Sequence, residues 1–311
     1  MTQVVELPWA RLIQIQPTWV EQLLIECEKC SEPKLTARAY CLKFAGTQEN
    51  LIGLVDMMAE FIKKFVFSEA ELKAFEDKGR DPWRQAIKYF GDTDPQREGK
   101  YGELLLFLFV ESVLQTPLIA HKIQALTDYN DQVKGSDGVF FGKYREVDTL
   151  LLGESKMYQN RNNAINDALD SVNKFHAGAS AQQELTTELL VIRKNLTKDL
   201  TSQDVDMLLE MLDINSPRHQ AINKAHPVLI VYDEDSIPEI EKACTCSEDA
   251  SERLDAQFKR IAHELHPIIK SKINDRTPEL NAVSLDFFLL PVSSVQTFRE
   301  MMYEALHNTK W

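Results

Sequence analysis

Apolar side chains in residues 19–30 fall on Val20, Leu23, Leu24 and Cys27, the spacing of one helical face, whereas residues 36–45 are richer in strand formers. A longer helix is predicted over residues 48–65, where Leu51, Leu54, Val55, Met58, Phe61 and Ile62 share a face. Ser68 with Glu71 reads as a capping box, and Asp81-Pro82 opens a further helix. Breakers and charges then crowd GDTDPQREGKYG at residues 91–102, which places a boundary near residue 95. Beyond it, residues 103–115 (ELLLFLFVESVLQ) are apolar enough for a buried helix and residues 120–126 suit a short strand. Residues 138–142 (GVFFG) and 149–158 (TLLLGESKMY) predict a hairpin. Residues 161–175 return to helical spacing through Ile165, Leu169 and Val172. Residues 179–226 read as inserted helices, with Thr201 and Asp204 capping a segment that ends near Leu212. A compact strand at 227–232, a long helix at 247–272, a strand at 285–292 and a helix at 294–307 complete the chain.

The order helix, three strands, helix, strand, helix, strand predicts an α/β fold with a central mixed sheet and helices on its faces. Residues 1–95 are expected to form an N-terminal α+β accessory region, and residues 96–311 a second domain carrying the helical insertion at 179–226. The chain's 311 residues, 44% of them apolar, suffice for a large core. The longest apolar run in the middle of the chain, Leu104 to Val110, falls far short of the roughly 20 residues of a membrane span. The opening MTQVVELPW lacks a basic start followed by an apolar stretch, and the five cysteines are odd in number, so a reduced cytoplasmic protein is expected.

Charge changes the picture when it is resolved along the chain. The net charge of −13 argues against a surface built throughout to hold nucleic acid. Residues 1–95 contribute −3, residues 96–200 only −2, and residues 201–311 the remaining −8. The nearly neutral middle segment holds the candidate chemistry.

That chemistry is Glu103, Asp137, Glu154 and Lys156. Strand side chains alternate, so Glu154 and Lys156 project from one face while Ser155 points to the other. Glu-x-Lys also occurs at Glu32/Lys34, Glu71/Lys73, Glu76/Lys78 and Glu98/Lys100, in polar or helical contexts where solvated surface explains it. Glu154 and Lys156 differ because they follow the apolar run Leu150 to Leu152, where a buried strand should carry no charge. An interior ion pair would account for these two but not for Asp137, 17 residues before Glu154, which a hairpin would bring alongside. Two carboxylates and the Ser155 carbonyl are oxygen donors suited to Mg²⁺, with Mn²⁺ as a substitute. Lys156 is suited to stabilising charge that develops on a phosphate, and Glu103 to holding a water or a second metal.

Asp137, then Glu154-Ser155-Lys156 on a strand, with Glu103 on the preceding helix and an amphipathic helix following, resembles the PD-(D/E)XK nuclease superfamily. The resemblance covers residues 96–176 and 227–292, and departs from the pattern in having Ser136 where proline commonly precedes the Asp. It implies a restriction-endonuclease-like αβββαβ core and Mg²⁺-dependent phosphodiester hydrolysis. Asp137 and Glu154 would then be metal ligands, Lys156 catalytic, Glu103 the helix acid, and Gln159 a glutamine near the metal. More narrowly, GELLLFLFVE, GSDGVFF and LLLGESKMYQN resemble the HamA family of nuclease subunits in the bacterial Hachiman anti-phage system. That resemblance implies DNA as substrate and a HamB-like helicase as partner. Lys143, Arg145, Arg161 and Lys174 are candidate contacts to DNA phosphates. A nuclease-like scaffold without turnover, docking a helicase or binding DNA ends, is the competing expectation.

Other motifs support less. Cys27-Glu28-Lys29-Cys30 and Cys244-Thr245-Cys246 lie too far apart in sequence to read as one zinc site. His263-Glu264-Leu265-His266 is one residue short of a zinc-binding HExxH and has no evident third ligand. No phosphate-cradling glycine loop, nucleophile elbow or GxGxxG is present.

Overall fold

The computed structural model describes residues 9–91, 99–120, 135–177, 181–194 and 201–307. The chain opens with α1 (Trp9–Leu12), α2 (Thr18–Leu23), β1 (Leu24–Ser31), β2 (Leu35–Leu42) and the small hairpin β3 (Phe44–Ala45) and β4 (Gln48–Glu49). Three helices follow: α3 (Leu51–Val66), α4 (Glu69–Asp77) and α5 (Trp83–Phe90). The single helix expected over 19–30 stops at Leu23, and the rest is strand. Leu24 packs into one face of the sheet and Cys27 into the other, so a strand buried on both sides reproduces a three-residue apolar spacing without being helical.

The remainder runs α6 (Lys100–Phe109), a π-helical turn at Val110–Leu114, β5 (Leu118–Ala120), β6 (Gly138–Tyr144), β7 (Val147–Tyr158) and α7 (Arg161–Asn173). Then come α8 (Ala181–Lys194), α9 (Ser202–Met211), α10 (Pro217–Ala221), β8 (Asn223–Asp233), α11 (Ser236–Ala243), α12 (Ser247–Asn274), β9 (Ser284–Val292) and α13 (Val295–His307). The strand expected at 120–126 is β5, which ends at Ala120; residues 121–126 lie outside the described residues. Both capping boxes, Ser68/Glu71 and Thr201/Asp204, form as the sequence predicts. The insertion is shorter than expected, because β8 already begins at Asn223, and α11 has no counterpart in the sequence reading.

Seven strands form one mixed sheet in the order β1-β2-β9-β8-β7-β6-β5. β2, β9, β8 and β7 are parallel, and β1, β6 and β5 join by antiparallel pairing. Because β2 pairs with β9, residues from both sides of position 95 share the sheet. The apolar helix α6 lies on one face with α3 and α13. Leu104 through Val110 expose nothing, as a helix apolar all round must be interior. α7 and α12 cover the opposite face over Val228, Ile230, Phe287 and Leu289, and the inserted α8 and α9 pack beside them on Val139, Phe141, Leu150 and Leu152.

Two buried polar devices hold this arrangement. Glu111, fully buried in the π-helical turn, accepts from the backbone amides of Gln14 at 2.7 Å, Ile15 at 3.1 Å and Leu118 at 3.0 Å, so one carboxyl group ties the N-terminal segment to β5. The second repairs a break in the sheet. β7 and β8 stay paired through Leu151↔Ala225 and resume at Glu154↔Val228, and the gap coincides with Pro227, which has no amide hydrogen to give. His226 Nδ1 takes over, donating to the Leu152 carbonyl at 2.9 Å. Its Nε2 is then the acceptor, and His176 Nε2 donates to it at 2.7 Å.

Replacing Glu111 with alanine strands three backbone donors in the interior. The expected cost is about 3 kcal/mol or more, read as a drop in the urea unfolding midpoint. The histidine pair makes the fold acid-sensitive. Burial, with mutual repulsion and Lys224 adding to it, lowers His226 to about 3, and burial and Lys224 lower His176 to about 4, from an ordinary 6.5. The unfolded chain therefore takes up two protons that the folded chain refuses, so this contribution is intact above pH 6.5 and lost as pH falls toward 4. Glu49, raised by burial from 4.5 to about 7, acts oppositely by destabilising the fold as pH rises through that window. Two protons outweigh one, so the unfolding midpoint should fall between pH 7 and pH 5, and His176→Gln should flatten that dependence.

Candidate functional site

The β6–β7 ladder runs from Tyr144↔Val147 to Gly138↔Gly153 and ends there, while β7 continues to Tyr158. Glu154 through Tyr158 thus overhang β6, with β8 alongside on the other edge. The chain before β6 closes the open edge with side-chain chemistry. The Asp137 amide donates to Gly153 O at 2.9 Å, and Asp137 Oδ2 accepts from both the Ser155 amide at 2.8 Å and the Ser155 hydroxyl at 2.9 Å. Further along the same edge, Arg299 of α13 donates to Met157 O at 2.9 Å.

Glycines allow α6 to approach this edge. A Cβ on Gly102 would stand 3.0 Å from Ser155 Oγ, and one on Gly153 would stand 2.8 Å from Leu106 of α6. The start of α6 is therefore pressed against the back of Ser155, and Glu103 follows Gly102 at that end. Its carboxylate accepts from the Tyr89 hydroxyl at 3.4 Å.

Glu154 and Lys156 share the opposite face. Lys156 Nζ donates to Glu154 Oε1 at 2.5 Å; the Glu154 side chain is 7% exposed and that of Lys156 is 20% exposed. Burial acts to lower the Lys156 ammonium, but the Glu154 charge, their hydrogen bond and the Asp137 charge outweigh it and raise it above the ordinary lysine value. Lys156 is therefore a permanent cation near neutrality. It can stabilise negative charge or donate a proton, but it is unsuited to acting as a base.

The structure brings Asp137, Glu154 and Lys156 together at the overhang, with Gln159 and Arg161 just beyond it. These last two help line a recess of about 440 Å³ with Asn160, Tyr232 and Glu234, at the carboxyl ends of β7 and β8. Arg161 stacks on the Tyr232 ring at 5.5 Å and lies 3.9 Å from Glu234. Three other expected phosphate contacts lie elsewhere. Lys143, paired with Asp148 at 3.1 Å, and Arg145, bonded to Pro33 O and Thr36, sit at the far end of the hairpin, on the order of 20 Å from Glu154 at ~3.3 Å per residue. Lys174 closes α7 at the end opposite Arg161, roughly 20 Å away at ~1.5 Å per residue.

Two acidic side chains, Glu154 on β7 and Asp137 in the loop that leads into β6, with oxygen donors only, are chemically suited to a hard divalent cation that keeps much of its water. Among the described residues no group of three or more His, Cys, Asp or Glu side chains converges on one metal position, so Glu103 does not complete a three-carboxylate cage. The CxxC and CxC cysteines form no such cluster either. Cys27 Sγ instead lies 3.1 Å from Cys41 Sγ, and Cys30 is near His263.

Three residues near the site escaped the sequence reading. Glu188 of α8, buried, accepts from both the amide and the hydroxyl of Ser136, immediately before Asp137. Arg299 comes from the last helix, and His226 holds Leu152, next to Gly153.

Among the described residues no helix is long and apolar enough to cross a membrane. None of the curated proteins compared with the chain matches it. A family model described as HamA matches residues 18–306, nearly the whole length. The chain therefore belongs to the HamA family, a component of the Hachiman defence system.

Proposed function

We propose that the chain is the DNA-cleaving subunit of a helicase–nuclease defence complex, a phosphodiesterase of the PD-(D/E)XK type that uses Mg²⁺. The observation that carries this reading is the convergence of Asp137, Glu154 and Lys156 on the overhanging end of β7. Asp137 and Glu154 are the residues that would hold the cation, with Mn²⁺ able to substitute. The cation would supply Lewis-acid activation of a water and of the scissile phosphate. Lys156, charged at neutral pH, stabilises the additional negative charge that builds on the phosphate as it is attacked. Ser155 fixes Asp137 through two hydrogen bonds, and the glycine contact at Gly102 holds Glu103 at the rear of the site. Gln159 and Arg161, which line the recess beyond the overhang, would touch the nucleic acid beyond the scissile bond.

The helicase partner follows from charge. Residues 201–311 carry −8, and of the expected basic contacts only Arg161 lies at the site end, already near Glu234. A nuclease with so weak an electrostatic grip needs another subunit to present DNA. Two observations favour the competing reading, a scaffold without turnover: Lys156 already pairs with Glu154, and among the described residues no third His, Cys, Asp or Glu side chain joins the two carboxylates.

Cleavage assays decide between them. In Mg²⁺, with the helicase present, Glu154→Gln, Asp137→Asn and Lys156→Ala should each lower DNA cleavage at least about 100-fold while circular dichroism and helicase binding stay unchanged. Wild-type rates in these variants would discard the site, and an inert wild-type complex would favour the scaffold. The isolated chain should bind DNA only weakly at physiological salt; nanomolar affinity in a fluorescence titration would remove the electrostatic argument for a partner.

A further inference from the structure

Among the described residues, the inserted helix α8 reaches the site through Glu188. Glu188 is 7% exposed, and its Oε1 accepts from the Ser136 amide at 3.1 Å and from the Ser136 hydroxyl. A Cβ on Gly135 would meet Glu188 Oε2 at 2.5 Å, so the carboxylate lies directly against the Gly135–Ser136 backbone and would have to shift for any larger residue there. The next residue is Asp137, whose own amide and Oδ2 bind Gly153 and Ser155 of β7. The contacts form a continuous chain from α8 through Glu188, Ser136 and Asp137 to the site strand.

We infer that Glu188 is a positioning residue for Asp137: the helical insertion fixes the loop that delivers this carboxylate to the open edge of β7. The inference deepens the proposed function and rests on it for the identity of the ligand, a hard divalent cation. Its physical basis is that the strand pairing of β6 with β7 begins only at Gly138, and the loop before it is held by the Asp137 amide on Gly153 O and by side-chain contacts such as Glu188 on Ser136. Residues before Gly138 have left β6, so without Glu188 the Ser136 amide and hydroxyl lose their acceptor in a buried setting and the segment is free to reorient. Gln at this position keeps a carbonyl oxygen that can accept from Ser136, whereas Ala keeps nothing.

The test uses the full chain and two readouts. Hydrogen exchange of the Ser155 amide, measured without metal or DNA, reports whether Asp137 Oδ2 still holds it. Mn²⁺ titration by calorimetry, together with the Mg²⁺ concentration for half-maximal cleavage in the helicase complex, reports the consequence for the cation. Glu188→Ala should speed Ser155 exchange and weaken Mn²⁺ binding about 10-fold or more, and should raise the Mg²⁺ requirement in step. Glu188→Gln should recover most of the loss. If Glu188→Ala does not fold, Ser136→Ala, which removes only the hydroxyl bond, should show the same changes on a smaller scale. Unchanged Ser155 exchange in these variants overturns the inference. A wild-type chain that neither binds Mn²⁺ nor cleaves DNA fails the proposed function instead, and the exchange comparison still decides the Glu188 clasp.

Discussion

The site exists because the regular hydrogen-bond ladder of β7 fails on both sides at nearly the same place. Toward β6 the ladder ends at Gly138↔Gly153. Toward β8 it skips Leu152 and Gly153, where Pro227 cannot donate. A buried strand cannot leave its backbone unpaired, so side chains fill the gaps: His226 at the Leu152 carbonyl on one edge, and Asp137 at the Ser155 amide on the other. The carboxylate that completes the hairpin edge is therefore one of the groups the candidate chemistry needs.

This constraint explains why α6 must be as apolar as it is and where its glycine falls. The helix fills the space behind an irregular stretch of strand, so Leu104 through Val110 are wholly interior. The tightest approach comes at Gly102 over Ser155 and at Gly153 under Leu106. A side chain at either position would force Ser155 or Leu106 to shift just where Asp137 depends on Ser155 being held still.

The sequence exposed those parts of this arrangement that are local. The hairpin, the buried helix, both capping boxes and the Glu154, Lys156 pair follow from patterns within a few residues, charge placed after an apolar run marked the strand end, and the hairpin itself carries Asp137, 17 residues upstream, to the same end. Three features were not local and stayed hidden. The stretch at 24–31 looked helical because burial on both faces removes strand alternation, and its place in the sheet depends on β2 pairing with a strand some 250 residues later. Glu188 is one acid among 48 until folding puts it against Gly135. Basic residues are legible as types but not as positions: Lys143 and Arg145 lie on the order of 20 Å from Glu154 along the hairpin, and Lys174 about 20 Å from Arg161 along α7, because a strand and a helix each carry charge far along their axes.

Stability gives a poor account of Glu154 and Lys156. Removing a carboxylate and an ammonium from water costs several kcal/mol per ion, and their mutual attraction rarely returns more than that. An apolar pair would extend the run Leu150 to Leu152 without penalty, on a face that already packs Val228 and Ile230 of the neighbouring strand. The pair instead stands on the overhang, where Lys156 keeps partial access to solvent and the surrounding carboxylates hold its charge in place. A cation kept charged by two acids on an overhanging strand end contributes little to folding, which accords with the role at a phosphate proposed for it.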